Sequence, residues 1–394
     1  MNRLPAFLLA FLTAGILKAQ PNPADTSNYS NLREQMRDLT AQIKASPANT
    51  ELYMRRSVVK FALHDWDGAA QDVTKVISLN PRDFEAYMSR GWVRDEQQNY
   101  RSALEDYKKA LSIDPGNSMA IVTMAMAKFH LKDTAGALQD LGKAITLDPK
   151  DWSAYNNRGF IKNKMGDYEG AMVDLDMAID LDDSKFESFM SRGLSKKALG
   201  QYRRAIVDYN KCLFLNPDLA EAYLDRGLSK YELKDFEAAL KDLDKAIGMG
   251  IHTAGSYLSR AYVKSGLRDH KGAMEDFDQS IALEPNNPEA YNNRGMCKLM
   301  LQDAEGAFQD LNKALVLRPD YAKAYGNRGL AKFAQHDYKA AITDFTKAIE
   351  LNPIFMEAYQ YRGYSYERTD ELQKAKADAE RAASLAGGGS PAGR

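Results

Sequence analysis

An all-α solenoid of antiparallel helix pairs is the fold class that the sequence predicts, and three observations predict it. The first is a period: Asn156-Asn157-Arg158-Gly159 returns as Asn292-Asn293-Arg294-Gly295, with looser copies about every 34 residues between and beyond. In register these give ten tandem units without insertion or deletion, beginning at Thr50, Phe84, Ser118, Trp152, Phe186, Ala220, Ala254, Pro288, Ala322 and Met356. The second is the pattern inside a unit. In repeat nine Tyr325, Gly329 and Lys332 mark a first helix, Gln335-His336-Asp337 interrupts it, and Ala341, Phe345, Ala348 and Ile349 recur at the spacing of one buried helical stripe before Asn352-Pro353 ends it. The third is small side chains at fixed places: the twentieth position is Ala in all ten units, and the eighth is Gly, Ala or Ser throughout. Small residues there let two helix backbones approach, where a larger side chain would overpack the joint.

The aromatic fourth position (Tyr53, Tyr87, Tyr155, Phe189, Tyr223, Tyr257, Tyr291, Tyr325, Tyr359), the small eighth, the Ala twentieth and the Pro at position thirty-two (Pro81, Pro115, Pro149, Pro217, Pro285, Pro319, Pro353) resemble the tetratricopeptide repeat. The resemblance covers all ten units. It implies a right-handed superhelix of paired helices whose first helices line a concave groove that holds peptides or proteins. A scaffold shared by many processes leaves the partner open.

Along the chain, residues 1–19 read as a secretory signal peptide: Arg3 is the positive end, and Leu4 to Leu17 is an apolar run short of the ~20 residues of a membrane-spanning helix. A retained membrane anchor is the alternative, and the only membrane contact the sequence suggests. Residues 20–30 read as a linker. Residues 31–49 form an N-terminal capping helix, with Leu39 and Ile43 covering the exposed flank of repeat one. The repeats fill 50–386, and 387–394 is a flexible Gly-rich tail. Gly248-Met249-Gly250, Gly255 and Gly266 mark the junction of repeats six and seven as a bend or weak joint.

Composition suits one array that buries a continuous core, with 44% hydrophobic and 27% charged residues. Its 53 basic and 54 acidic side chains leave a net charge of -1, so no general attraction to nucleic acid is expected. Cys212 and Cys297 lie three units apart, beyond the ~7 Å reach of a disulfide, and read as unpaired packing groups. The five histidines fall in different units, mostly at turns, and no HExxH, GxSxG or paired-cysteine motif is present. Neither a catalytic residue, a metal site nor a cofactor is expected, and the chain reads as non-enzymatic.

A charge ladder runs through the array. Position seven is Arg in nine units (Arg56, Arg90, Arg158, Arg192, Arg226, Arg260, Arg294, Arg328, Arg362) and Met124 in repeat three. Position eleven is Lys or Arg in nine, and position twenty-three is Asp in all ten. Partly buried charges need partners. Because the cap carries Asp38 at the equivalent of position twenty-three, each Asp is expected to face the Arg of the following unit, Asp38 with Arg56 and Asp140 with Arg158, leaving Asp106 opposite Met124. The ladder either fixes how units stack or, with 18 bases to 11 acids, forms a stripe for an acidic polysaccharide or other polyanion.

By the resemblance, positions two, five, nine, twelve and thirteen of each first helix face the groove. Candidate partner-binding residues there are Met54, Met88, Trp92, Met126, Phe129, Asn156, Phe160, Leu194, Leu228, Tyr231, Tyr262, Asn292, Met296, Leu330, Phe333 and Tyr364, with Trp92 and repeat three as the hot spot. An apolar channel with scattered amides suits an extended or helical peptide, and the same stripe can equally serve the array's own packing. The expectation is an exported scaffold, periplasmic or secreted, that binds a protein or peptide in cell-envelope assembly or secretion. A polysaccharide-handling accessory factor is the alternative.

Overall fold

The computed structural model describes residues 26–387. Residues 1–25, with the expected signal segment, and 388–394 of the tail lie outside the described residues. Among the described residues there are 21 helices and no strand. A lone helix, α1 (Thr26–Ala45), precedes ten helix pairs, from Thr50–Ala62 with Trp66–Leu79 to Met356–Arg368 with Leu372–Gly387. The chain divides into two compact units, residues 1–199 and 200–394, at the turn inside repeat five. No described helix is long and apolar enough to cross a membrane.

Helix α1 starts inside the stretch expected to be linker and stops before Ser46-Pro47. It buries Leu32, Leu39 and Ile43 in one cluster with Leu52, Tyr53 and Val73 of repeat one, apolar area that would otherwise face water. Within each pair the chain reverses on a residue in the left-handed region at position fifteen. Gly fills that place at Gly166 and Gly200, whereas His64, Gln98, Lys132, Lys234, Arg268, Gln302, His336 and Asp370 adopt it with φ between 57° and 69°. The next residue caps the second helix where it is Asp or Asn, as Asp133 does by accepting from the Gly136 amide at 2.9 Å.

The core of each pair sits where the first helix lies over the second. The Ala at position twenty is fully buried from Ala69 through Ala341. Position eight lies against position twenty-four: a Cβ added at Gly91 would stand 2.3 Å from the Tyr107 ring, and one at Gly329 would stand 2.7 Å from Phe345. In repeat one, where position eight is Ser57, its counterpart Val73 is smaller. At the repeat six to seven junction Gly250 takes φ 103°, and a Thr253/Ser256 capping box restarts the helix.

The charge ladder is present, but its direction is the reverse of the expectation. Eight of the nine position-seven arginines hold the Asp of their own repeat in a bidentate pair: Arg56 Nη2 and Nε donate to Asp72 at 2.6 and 2.8 Å, and the same pairing joins Arg90 to Asp106, Arg158 to Asp174, Arg226 to Asp242, Arg260 to Asp276, Arg294 to Asp310, Arg328 to Asp344 and Arg362 to Asp378. Asp106 therefore has Arg90 and Arg94, and does not wait on Met124. Asp38 is exposed, and Arg56 instead reaches Thr40 of α1. The link to the preceding unit runs through position twenty-five: the remaining Nη1 donates to Thr74 from Arg90, to Asp176 from Arg192, to Asn210 from Arg226, to Asp244 from Arg260 and to Asn312 from Arg328. The fourth-position ring completes the seat, with the guanidinium carbon 5.3 to 5.9 Å from its centroid. The exception in repeat three follows from this geometry. The acceptor place facing Met124 is Lys108, a donor that an arginine would repel.

Two measurements check this reading. Lys132→Gly, which relieves a side chain in the left-handed region, is expected to raise the unfolding free energy, read by urea titration, by about 0.5–1 kcal/mol. In a double-mutant cycle, Lys108→Thr is expected to stabilise the Met124→Arg background more than the wild type by about 0.5–1 kcal/mol; equal effects would deny the contact between the two positions.

Candidate functional site

The face of the first helices, where the partner-binding candidates fall, differs between the two units. In the first unit the candidates are largely absorbed by packing. Met88 is 1% exposed, and Trp92 with Met54 packs on the buried Val58 and Val93. Met126, Phe129 and Phe160 lie half-buried against the cluster of Ile121, Val122 and Ile161, with Phe129 and Phe160 edge to face at 6.0 Å. Leu194 is half-buried. The amides expected to meet a peptide are also engaged: Asn156 Oδ1 accepts from Ser188, and Asn163 both donates to the Ser191 carbonyl at 2.8 Å and accepts from Ser195. They stitch one first helix to the next.

In the second unit the same face holds two adjoining hollows. One, of about 410 Å³, is walled by Tyr231, Phe236, Tyr262, Met296 and Met300, with Ser265, Gly266 and Cys297 beneath. Gly266 makes room for it: it has no side chain at a position filled elsewhere by Glu96, Lys164 or Arg368, and a Cβ there would stand 3.0 Å from Phe236. The other, of about 520 Å³, shares Tyr231, Tyr262 and Asn293 and adds Glu289, Tyr321 and Lys323. The Tyr231 and Tyr262 rings are stacked with centroids 6.4 Å apart. Asn293 Nδ2 donates to the Glu289 carbonyl at 2.8 Å and to the Tyr262 hydroxyl at 3.5 Å. Burial, then the Glu289 charge, pushes the Tyr262 hydroxyl up to about 12, so it stays a neutral donor at neutral pH.

Of the second-unit candidates, Tyr231, Tyr262 and Met296 thus meet in one hollow and Asn292 borders the other, buried and accepting from Asn327 at 2.9 Å. Leu228 is half-buried outside them, Leu330 and Phe333 pack on the Phe345 cluster, and Tyr364 is 52% exposed beside Tyr361. Sequence reasoning missed Phe236, Glu289, Asn293 and Tyr321. Asn293 and Tyr321 occupy positions six and thirty-four, outside the assumed groove face, and no sequence signal singled out Tyr321, since Lys185, Leu219, Thr253 and Phe355 also depart from Asn or Asp there. Neither Cys212 nor Cys297 is in a disulfide and both are buried, with Cys297 Sγ 3.4 Å from Ser265 Oγ. Burial pushes the Cys297 thiol up, which makes it a poor nucleophile. Among the described residues no cluster of His, Cys, Asp and Glu could hold a metal ion.

A carboxyl on this face also departs from its ordinary range. Asp95, one turn beyond Gly91, accepts a 2.5 Å hydrogen bond from the buried Tyr107 hydroxyl, while its Oδ1 is buried and accepts none. Burial raises the carboxyl from 3.8 to about 6, against the Tyr107 hydrogen bond and with help from Glu96.

Models of the tetratricopeptide repeat match residues 84–117, 141–172, 190–252, 254–287, 277–309 and 322–355. No match was found among curated proteins. Among solved structures the chain is similar to the Cut9–Hcn1 hetero-tetramer of APC/C, at 15% identity and TM-score 0.50 over 97% of this chain and 87% of that one. It is also similar to PilF of Pseudomonas aeruginosa, at 23% identity and TM-score 0.50 over 54% of this chain and 97% of that one. At these identities the likeness is one of fold.

Because folding raises the Asp95 carboxyl, the native chain holds a proton that the unfolded chain releases. Stability is therefore expected to fall as pH rises from about 4 to about 6 and to stay lower above it. Asp95→Asn keeps an acceptor for Tyr107, and thermal melts should show the slope removed and about 1 kcal/mol gained at pH 7.

Proposed function

Because the chain belongs to the tetratricopeptide repeat family, we propose that it is a protein–protein interaction scaffold that holds a partner's peptide segment on the first helices of its second unit. The observation that carries this reading is the pair of adjoining hollows around Tyr231 and Tyr262, aromatic walls with an Asn293 amide between them. Such a surface anchors large side chains at little entropic cost, since each tyrosine has only two torsions to fix and packing already restrains them. Trp92 and Met126, the sequence-derived hot spot, contribute more to packing and are secondary here.

We further propose that the scaffold works outside the cytoplasm, in cell-envelope assembly or secretion, on the strength of the Arg3 and Leu4 to Leu17 pattern. A stripe for polyanions finds less support. The bases it would use are seated on buried carboxylates, as Lys298 is on Asp310 at 2.8 Å and Lys332 on Asp344 at 2.7 Å.

Capture of partners from an envelope extract tests this. Met300, 57% exposed at the rim of the first hollow, can be changed without touching the core. Met300→Asp is expected to cut recovery of the main partner at least tenfold, while Met165→Asp, equally exposed on the first unit, leaves it unchanged. Equal recovery by both variants would remove the second-unit site. A fusion at Gly387 to a phosphatase active only after export should be active with residues 1–19 and inactive without them.

A further inference from the structure

Resting on the reading of the second unit as a peptide-binding face, we propose that the Glu289 hollow takes an arginine or lysine side chain of the bound segment, with a large apolar neighbour in the hollow beside it. The apolar and the charged hollow share Tyr231, Tyr262 and Asn293, so adjacent side chains of one segment can fill both. Glu289 is the carboxylate of the second hollow, and its charge acts on both Tyr262 and Tyr321.

Besides Lys323 in the lining, a second cation lies at this hollow's edge and engages its carboxylate. Arg318 places its guanidinium carbon 4.6 Å from the centroid of the Tyr321 ring and its Nη2 3.3 Å from Glu289 Oε1. The seated arginines of the ladder lie farther from their rings, at 5.3 Å or more. Yet the Arg318–Glu289 pair is long and about half exposed, 40% and 47% by side chain, where the ladder pairs are short and buried. It is the weak, exchangeable kind of ion pair. Arg318 shows what chemistry Tyr321 and Glu289 accept, and it is loose enough to be displaced.

The sequence surrenders local stability to place these groups. At Arg318, most other units have an Asx residue, Gly250 and Glu284 being the exceptions, and Asn80, Asp148, Asp182, Asn216 and Asn352 brace the turn by accepting from the amide two residues on. At Tyr321, Asp83, Asn117, Asp151, Thr253 and Asn287 cap the helix in other units, whereas Tyr321, like Lys185, Leu219 and Phe355, makes no side-chain cap bond; only the Arg318–Tyr321 turn lacks both the brace and the cap. Two bracing residues are given up at one turn, the turn that borders the hollow; such breaks in a local rule concentrate at functional sites.

Selection of phage-displayed random dodecapeptides on the full chain, followed by affinity measurement of the selected peptides, tests the proposal. The expected peptides carry Arg or Lys next to a large apolar residue. Glu289→Gln should weaken them about tenfold, and Arg318→Ala, which removes the internal competitor, should tighten them about threefold. Both variants change half-exposed side chains, and circular dichroism melts confirm that they fold. Selected peptides that are acidic or uncharged, or that ignore Glu289→Gln while still losing affinity to Met300→Asp, would overturn the basic-ligand claim and leave the peptide-binding face standing. Peptides indifferent to Met300→Asp as well would overturn both.

Discussion

Most joints of the array hang on one guanidinium. At position seven an arginine spends two donors on the buried carboxylate of its own second helix, as Arg294 does on Asp310, and a third on the preceding unit, here Asp278. Its planar face covers the Tyr291 ring. An aspartate as buried as Asp310, 5% exposed, is costly without cationic partners, and removing the arginine would leave it to Lys298 alone, a loss below the about 3–5 kcal/mol of a fully stranded buried charge. Lysine could not replace it, because only the rigid fork serves two helices and a ring at once. The position-eleven base, Lys298, adds a second cation to the same carboxylate and explains why charged residues stand where an apolar contact would otherwise close the pair.

The exceptions to the pattern follow from the same geometry. Repeat three has Met124 where the preceding unit presents Lys108, and its buried Asp140 is served by Lys128 and Lys143 instead. Arg158 meets Gly142 at the acceptor place and keeps its own pair with Asp174 and the Tyr155 ring. Stacking thus tolerates the loss of one contact at a joint, because the bidentate pair inside the unit and the small residues at positions eight and twenty remain.

With the joints secured from one side of the first helices, the opposite side is free to vary, and there the two units diverge. In the first unit large side chains fold back onto buried neighbours, and amides link successive helices. In the second, the missing side chain at Gly266 and the stacked pair of Tyr231 and Tyr262 leave open space with aromatic walls. A scaffold that recognises segments of other proteins needs such rigid, partly open walls, and the tetratricopeptide repeat supplies them by changing one residue at a time on a constant frame.

The sequence by itself determined the period, the helical hairpins, the close approach at Ala341 and Gly329, and the presence of a charge ladder, because each is a local rule repeated in most or all of the ten units: helical spacing, a breaker at the end, a small residue at a contact. The left-handed turn residues were less legible, since Lys132 or Gln98 takes that conformation only because the flanking helices demand it. Only the tertiary structure decided which carboxylate each arginine holds. Sixteen residues separate Arg56 from both Asp72 and Thr40, and spacing alone cannot choose between the two directions. It also decided which part of a uniform apolar stripe is core and which is hollow, because that depends on whether the next helix brings a side chain or a gap to the same point in space.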